Sequence, residues 1–516
     1  MIRVIYKKNI MKKSITLFIS LFIAFIASAQ TYKVDLEATL NDDFKKMKEG
    51  SQVTFSHVIH RQGLDDYGNL KNEYFVVMGK DTIPYDNRIA SRFDFKFDDI
   101  QDLWNQKIIC NVLDELEDKG IQESLRNEME EEALDYINKQ KEYGMVFNDP
   151  YLETYIYSLI SKIAPKTLID GRPGNVNLLI LENPAMNAGM YSNGTLIINT
   201  GLISALHTED ELVAVLAHEI AHFILDHNIQ NVNAAVARKK RAEFWAGLAT
   251  GLTAIAEGVA TVKGNYHAPG TATLGVAILS SAIAQQVVDR LGMKYNAEQE
   301  EAADKVAVQA LEILGYNKNA LATALNRMKE VMALERSSVM YFQSYTHPAL
   351  VNRIIELGNP EDTANQRFEQ EISFAVTSTA RMKFEDRRFR QVLPLVDQNI
   401  NNGVATADDY ILKAHCLLSL NNDSQSNTEV LDMVNMAKSL DESNINIYKA
   451  EILANLRLEK HIVAQELLSQ YIQRLNEMEL SLKEIESDRA WDNTHDFIST
   501  ERDWAKRMIV KVRAMQ

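Results

Sequence analysis

Cysteine, proline and basic residues are all in short supply in this chain of 516 residues, which has 2 Cys and 9 Pro. Two cysteines, Cys110 and Cys416, are too few and too far apart for a disulfide framework, and both read as buried small apolar residues. So little proline, with 21 Gly, excludes collagen-like and low-complexity chains. The 55 Lys and Arg are outnumbered by 71 Asp and Glu, giving a formal charge of −16. A surface of that sign repels phosphates, so nucleic acid is not an expected partner. What is there is globular: 46% of the residues are hydrophobic and 24% charged. At roughly 150 residues per domain, about three domains are expected.

The first thirty residues carry Arg3, Lys7, Lys8, Lys12 and Lys13 and no acid, so removing them takes the formal charge from −16 to −21. Lys12 and Lys13 precede an apolar run from Ile15 to Ile26, and Ala27-Ser28-Ala29 precede Gln30. That order is expected of a cleaved secretory signal over residues 1–29. The run falls short of the ~20 residues that span a bilayer. An exported, periplasmic location follows as an expectation.

Beyond the leader the texture changes three times. Residues 30–121 alternate like short strands, with turn signals at Asp65–Gly68 and Gly79–Asp81. His57 and His60 in this region are three apart, so a period of two points them to opposite faces, and they read as ordinary strand residues. Residues 122–360 are mainly helical, interrupted by "NVNLLILENPAMNAGMYSNGTLIINTGLI", which reads as a strand, a loop and a hairpin turned at Asn193-Gly194. Residues 361–516 are almost wholly helical. The Lys-Ala pairs at 413–414 and 449–450 are close to the roughly 34-residue period of helix-pair repeats, so a short tetratricopeptide-like (TPR) stack is expected. The fold class is therefore α+β: a mainly helical core with a small sheet, a β-rich N-terminal region and a helical-repeat tail.

Within the central region, "VLAHEIAHFILDHN" sets His218, Glu219, His222 and His227 into an apolar context. Thr208 and Glu211 form a capping box, so a helix should begin at about Glu209 and run past the histidines. Leu212, Leu216, Ile220 and Phe223 face its core. His218 and His222, four apart, lie one above the other with Cβ atoms ~5–6 Å apart, within reach of one ion. Glu219 is turned by about 100° and is placed to meet a water on that ion. His227, nine residues after His218, falls half a turn round and should act as a structural partner, not a ligand. Two imidazoles and a carboxylate in such a face are costly to bury alone, and zinc resolves the cost.

Catalytic zinc takes three protein ligands and leaves a position for water. A second helix, capped by Asn296 with Gln299 and stopped by Gly315, carries Glu300 and Asp304 on one face. This suits a carboxylate ligand followed, one turn on, by a carboxylate that orients a metal-bound histidine. Glu298 and Glu301 are accounted for by the helix dipole.

His218-Glu219-x-x-His222 with Glu300-x-x-Ala303-Asp304 resembles the zinc metallopeptidase family of HtpX, BepA and the CAAX prenyl proteases. The likeness extends to Asn187-Ala188 with "TLIINTGLI", to Thr346-His347-Pro348 and to Arg353-Ile354, and covers residues 122 to 358. Gly189 and Ala307 depart from it: a large apolar residue and a glycine are the family's habit there. The resemblance implies a gluzincin fold, one zinc on His218, His222 and Glu300, Glu219 as base and Asp304 as support. An exported chain with a helical-repeat tail looks most like the periplasmic, BepA-like branch, which works in outer-membrane protein quality control. His347, in the family's His-Pro motif, is the candidate donor to the developing oxyanion. The strand Thr195, Leu196, Ile197, Ile198 could offer an edge to an extended substrate, which would favour unfolded polypeptide.

Residues 238–291 are ambiguous. A basic cluster, Arg238-Lys239-Lys240-Arg241, precedes two apolar runs in which Gly247 and Gly251 have a spacing suited to close helix packing. Glu257 and Lys263 interrupt the first run, so a packed hairpin with a peripheral contact to anionic lipid is expected. The expected function is an exported zinc metalloendopeptidase acting on unfolded or misassembled polypeptides, with envelope proteins recruited by the tail. A chaperone-like repeat scaffold with weak or latent proteolysis, or a membrane-embedded protease, are the alternatives.

Overall fold

The alternation near the N terminus becomes five strands in the computed structural model, which describes residues 30–64, 70–85, 87–111, 119–142, 144–169, 172, 174–238, 294–334, 350–482 and 488–515. The expected leader, the stretch 239–291 and His347 lie outside the described residues. Strands β1 (Gln30–Leu40), β2 (Gln52–Leu64), β3 (Leu70–Met78), β4 (Asp81–Pro84) and β5 (Phe93–Lys96) form an antiparallel sheet in the order β4-β3-β2-β1-β5. Val34, Leu36, Ala38 and Leu40 alternate inward, as a half-buried strand requires. His57 and His60 both sit in β2, where the His60 ring stacks on Tyr74 of the neighbouring strand at 4.8 Å. A short helix, α1 (Asn87–Ala90), lies between β4 and β5, and α2 (Ile100–Asn111), α3 (Lys119–Glu142) and α4 (Pro150–Ile163) follow the sheet. Trp104 of α2 is fully buried and donates its indole N–H to the Ile163 carbonyl at 2.7 Å, fixing α2 against α4.

A second, three-stranded sheet has β6 (Asn177–Leu181), β7 (Ala188–Met190) and β8 (Thr195–Asn199) in the order β6-β8-β7. The expected hairpin joins β7 to β8 through Asn193-Gly194. Gly194 has φ +81, and a Cβ there would stand 2.7 Å from the Asn175 carbonyl oxygen, so conformation and space both call for glycine. This topology corrects one expectation: Thr195–Ile198 is no edge. β8 pairs in parallel with β6 on one side and antiparallel with β7 on the other, and its residues are buried. Its ladder groups are already used, so no further strand can add to it.

The helices then run α5 (Thr200–Ile203), α6 (Glu209–Ile224), α7 (His227–Arg238), α8 (Ala297–Leu314), α9 (Ala320–Leu334) and α10 (Leu350–Leu357). The tail continues with α11 (Gln366–Glu371), α12 (Ser373–Glu385), α13 (Phe389–Asn401), α14 (Ala407–Leu420), α15 (Ser424–Leu440), α16 (Ile447–Arg457), α17 (His461–Ser481) and α18 (Asp488–Met515). The fold is mainly helical α+β. Among the described residues no helix is long and apolar enough to cross a membrane. In the tail, neighbours in sequence pack as neighbours in space, α12 on α13, α14 on α15 and α16 on α17. Ala414 of α14 and Ala450 of α16 are both fully buried and belong to one apolar cluster. Cys416 is buried, as expected, while the side chain of Cys110 lies outside the described residues.

The apolar core does not stop at residue 360. Phe368, Ile372, Ala375 and Val376 of α11 and α12 belong to one buried cluster with Leu212 and Ile220 of α6. Asn365 N–H also donates to the His207 carbonyl at 2.8 Å, and His207 Nδ1 lies 2.6 Å from Glu369 Oε1. A chain ending at Asn365 should therefore be less stable by about 5 kcal/mol or more, from the loss of one Phe, one Ile and one Val burial. In thermal unfolding that is a fall of roughly 10 °C or more. An unchanged melting temperature would instead place a domain boundary at 360.

Candidate metal centre

Helix α6 brings the two motif histidines into the core. Thr208 caps it, accepting from the Glu211 N–H at 3.2 Å. The expected capping box is only half formed, since the Glu211 carboxylate accepts from His207 N–H at 3.0 Å. His218, Glu219 and His222 are all buried, at 4%, 2% and 0% exposure. Burial this complete decides that no solvent shell satisfies them.

The expected continuous helix through His227 is broken. α6 ends at Ile224, Asp226 takes φ +54, and α7 begins at His227. Arg172 drives the break: its buried guanidinium donates to the carbonyls of Phe223 at 2.7 Å and Ile224 at 3.0 Å, and to Asp226 Oδ1 at 2.8 Å. A cation at the C-terminal carbonyls satisfies groups the helix itself leaves open. Arg126 holds the other Asp226 oxygen at 2.7 Å. Burial alone would raise the Asp226 pKa, but these two guanidinium groups hold it below the usual carboxylate range. The turn folds His227 back on His222, with their Nδ1 atoms 2.7 Å apart. His227 is thus the structural partner expected, by a different route. Its burial, the largest influence, drives its pKa down to about 4, so it stays neutral and able to accept.

Helix α8 supplies the carboxylates. Its cap is the expected one: Asn296 accepts from Gln299 N–H at 2.9 Å, Gln299 accepts from Asn296 N–H at 3.1 Å, and Gly315 closes the helix at φ +77. Glu300 and Asp304 point inward at 0% and 4% exposure. Glu298 and Glu301 are exposed, and Glu301 pairs with Lys305 one turn on.

The atoms converge closely. His218 Nε2 and His222 Nε2 are 3.0 Å apart, and Glu300 lies 3.6 Å from the first and 3.7 Å from the second. Donors about 2.0–2.1 Å from one tetrahedral zinc stand roughly 3.3 Å from each other, so this triangle has the right size. Asp304 Oδ1 is 2.9 Å from His218 Nδ1, which fixes the tautomer that bares Nε2 toward the triangle. Arg353 of α10 forks both Asp304 oxygens at 2.8 and 2.7 Å and reaches Glu300 Oε2 at 2.6 Å. Burial would raise the Asp304 pKa, yet the bonds to His218 and Arg353 hold it down at about 2. The buried set holds three carboxylates, Glu219, Glu300 and Asp304, against one guanidinium, Arg353. A divalent cation would bring positive charge to this buried, acid-rich set. Among the described residues, His218, His222 and Glu300 are the one group with this geometry.

Residues 150–361 match the description of peptidase family M48. This stretch, less than half of the chain, is similar to peptidase family M48. The family is one of metallopeptidases, and the matched stretch spans α6, α8 and α10, the helices that carry His218, His222, Glu300, Asp304 and Arg353. Curated relatives agree: the chain is 25% identical over 197 residues to the beta-barrel assembly-enhancing protease of Escherichia coli (strain K12), covering 37% of this chain and 36% of that protein. It is also 25% identical over 195 residues to a putative beta-barrel assembly-enhancing protease of Vibrio cholerae and 23% identical over 197 residues to that of Yersinia pestis, covering 38% of this chain and 36% of the relative in each case. The match thus takes in little more than a third of each relative's length.

Three residues at the cluster were not assigned from sequence. Arg353 was visible only as part of a motif, since nothing in its spacing says which acids it meets. Tyr295 stacks on the His222 ring with centroids 3.6 Å apart, and Asn228 accepts its hydroxyl proton at 2.6 Å. Neither carried a pattern, because both act across elements distant in sequence.

Proposed function

We propose that this chain is an exported zinc metalloendopeptidase that hydrolyses unfolded or misassembled polypeptides. The observation that carries the reading is the convergence of two imidazole nitrogens and a carboxylate, backed by Asp304 and Arg353 in a buried, acid-rich pocket. His218, His222 and Glu300 would hold the ion. Zinc, when bound, supplies polarisation of the scissile carbonyl and acidifies a water. Glu219, next to His218 but off the stripe that His218 shares with His222, would take a proton from the attacking water as its oxygen bonds to the scissile carbonyl carbon, and would return that proton to the leaving amine as the C–N bond breaks, so the carboxylate is regenerated. Asp304 keeps the His218 ring in place by accepting from Nδ1, and His227 does the same for His222. His347 is the candidate oxyanion donor.

The outer strand of the small sheet on offer to an extended substrate is β7, whose side chains are buried, so pairing there would use its backbone groups alone. Gly189 and Tyr191 face β8, so the N–H and C=O groups of Ala188 and Met190 point to the other side, where no strand is paired among the described residues. Recognition through backbone groups suits substrates defined by being unfolded. The tail offers a place for recruitment: a cleft of about 800 Å³ lies away from the cluster, between Phe147–Pro150 and helices α12 and α14. Stacked helix pairs of this kind contact proteins along such surfaces, and envelope proteins are the proposed partners, in keeping with the relatives' name.

Chelation tests the reading. The purified full chain should cleave casein, lose that activity on treatment with a strong chelator and regain it with one equivalent of zinc. Cleavage that survives with zinc stripped to background would overturn it.

A further inference from the structure

Tyr295 sits immediately before the cap of α8 and is 2% exposed. Its ring lies flat on the imidazole of His222, 3.6 Å between centroids and 15° between planes. On the far side of that contact its hydroxyl donates to Asn228 Oδ1 at 2.6 Å, and Asn228 Nδ2 donates to the Met190 carbonyl at 2.8 Å. Met190 is the last residue of β7, and its carbonyl is one of the groups directed away from β8. A single buried side chain therefore touches a metal-ligand candidate with one end and, through one amide, the sheet edge with the other.

We propose that Tyr295 is a positioning residue that sets the His222 ring and, through Asn228, holds the β7 edge at a fixed height over the metal cluster. The proposal rests on the zinc peptidase reading above. The two ends of the side chain separate its two effects. The stacked face restricts rotation of the His222 ring, whose Nδ1 is already held by His227 at 2.7 Å. Stacking and that bond together leave the imidazole a single orientation, the one that aims Nε2 at His218 and Glu300. The hydroxyl does nothing for the ring directly. It orients the Asn228 amide so that its N–H reaches Met190, which takes that carbonyl out of use and marks where substrate pairing on β7 stops.

The test uses the full chain and four proteins: wild type, Tyr295→Phe, Tyr295→Leu and Asn228→Ala. Zinc affinity is measured by competition with a chromogenic chelator, and casein hydrolysis by initial rates at saturating zinc. Tyr295→Leu should weaken zinc about tenfold or more, the scale of losing an outer support of a metal-bound histidine. Tyr295→Phe should restore zinc affinity to near wild type while raising the half-saturating casein concentration roughly three- to tenfold, the effect of one lost buried hydrogen bond. Asn228→Ala should match Tyr295→Phe. Zinc affinity in a folded Tyr295→Leu protein equal to wild type would overturn the proposal, as would zinc loss in Tyr295→Phe equal to that in Tyr295→Leu. If Tyr295→Leu does not fold, the other two decide: equal shifts in casein half-saturation with zinc retained support it, and unequal shifts overturn it. A wild-type chain that binds no zinc would instead overturn the peptidase reading itself, and this proposal with it.

Discussion

Glu219→Gln is expected to bind zinc as tightly as the wild type, keep its far-UV spectrum and lose casein hydrolysis by about 10²–10⁴-fold, the usual range for a general acid–base group. The amide is the same size and still forms hydrogen bonds, so packing in α6 is undisturbed, but it cannot take a proton. Glu219 is 2% exposed and lies among the buried acids of the cluster, so no solvent base can replace it. Metal content must be measured on the same sample. Cleavage comparable to wild type, with zinc present, would remove Glu219 as the base and leave the site without a proton acceptor. This experiment also separates a peptidase from a repeat scaffold that has kept a structural ion.

The second large effect concerns α8. Glu300→Ala should strip zinc from the chain, and Glu300→Gln should weaken it by at least about 10²-fold while sparing the contact to Arg353. Glu298→Ala and Glu301→Ala should change zinc affinity by less than about twofold, because both side chains are exposed. Asp304→Ala should fall between these, with a loss of about 10–100-fold as an outer support is removed from His218. Competition with a chromogenic chelator measures all five. Zinc loss at Glu301 with Glu300→Ala unaffected would mean that the helix presents a different face from the one found here. The Alanine variant at 300 also leaves Arg353 with one acid in place of two, so its melting temperature should be recorded beside its metal affinity.

Much of this site was legible in the chain because it depends on helical periodicity alone. Residues four apart share a face, so His218 with His222 and Glu300 with Asp304 could be paired without knowing where either helix lies. Caps are equally local: Thr208 and the Asn296–Gln299 box each start a helix where the sequence says, and Gly315 stops one. The turn at Asn193-Gly194 is local too.

What failed was what depends on contacts made by distant residues. Nothing in "HFILDHN" says that the helix breaks after Ile224, because the break is made by Arg172, more than fifty positions earlier, capturing the terminal carbonyls. The β-branched apolar run at Thr195–Ile198 says strand, but whether a strand is central or at the edge depends on which other strands find it, and β6 and β7 both do. A change of texture near residue 360 suggests a boundary, yet Phe368 and Ile372 bury themselves against the M48 helices, since an apolar face packs wherever a complementary surface is presented. The sequence by itself determined the ligand types, their spacing and the helices that carry them, since hydrogen bonds within a few residues decide those. Only the tertiary structure decided that His218, His222 and Glu300 meet within 3.7 Å, that Arg353 bridges Glu300 and Asp304 behind them, and that Tyr295 stacks on His222 and reaches β7 through Asn228, because each is an agreement between segments that no local pattern encodes.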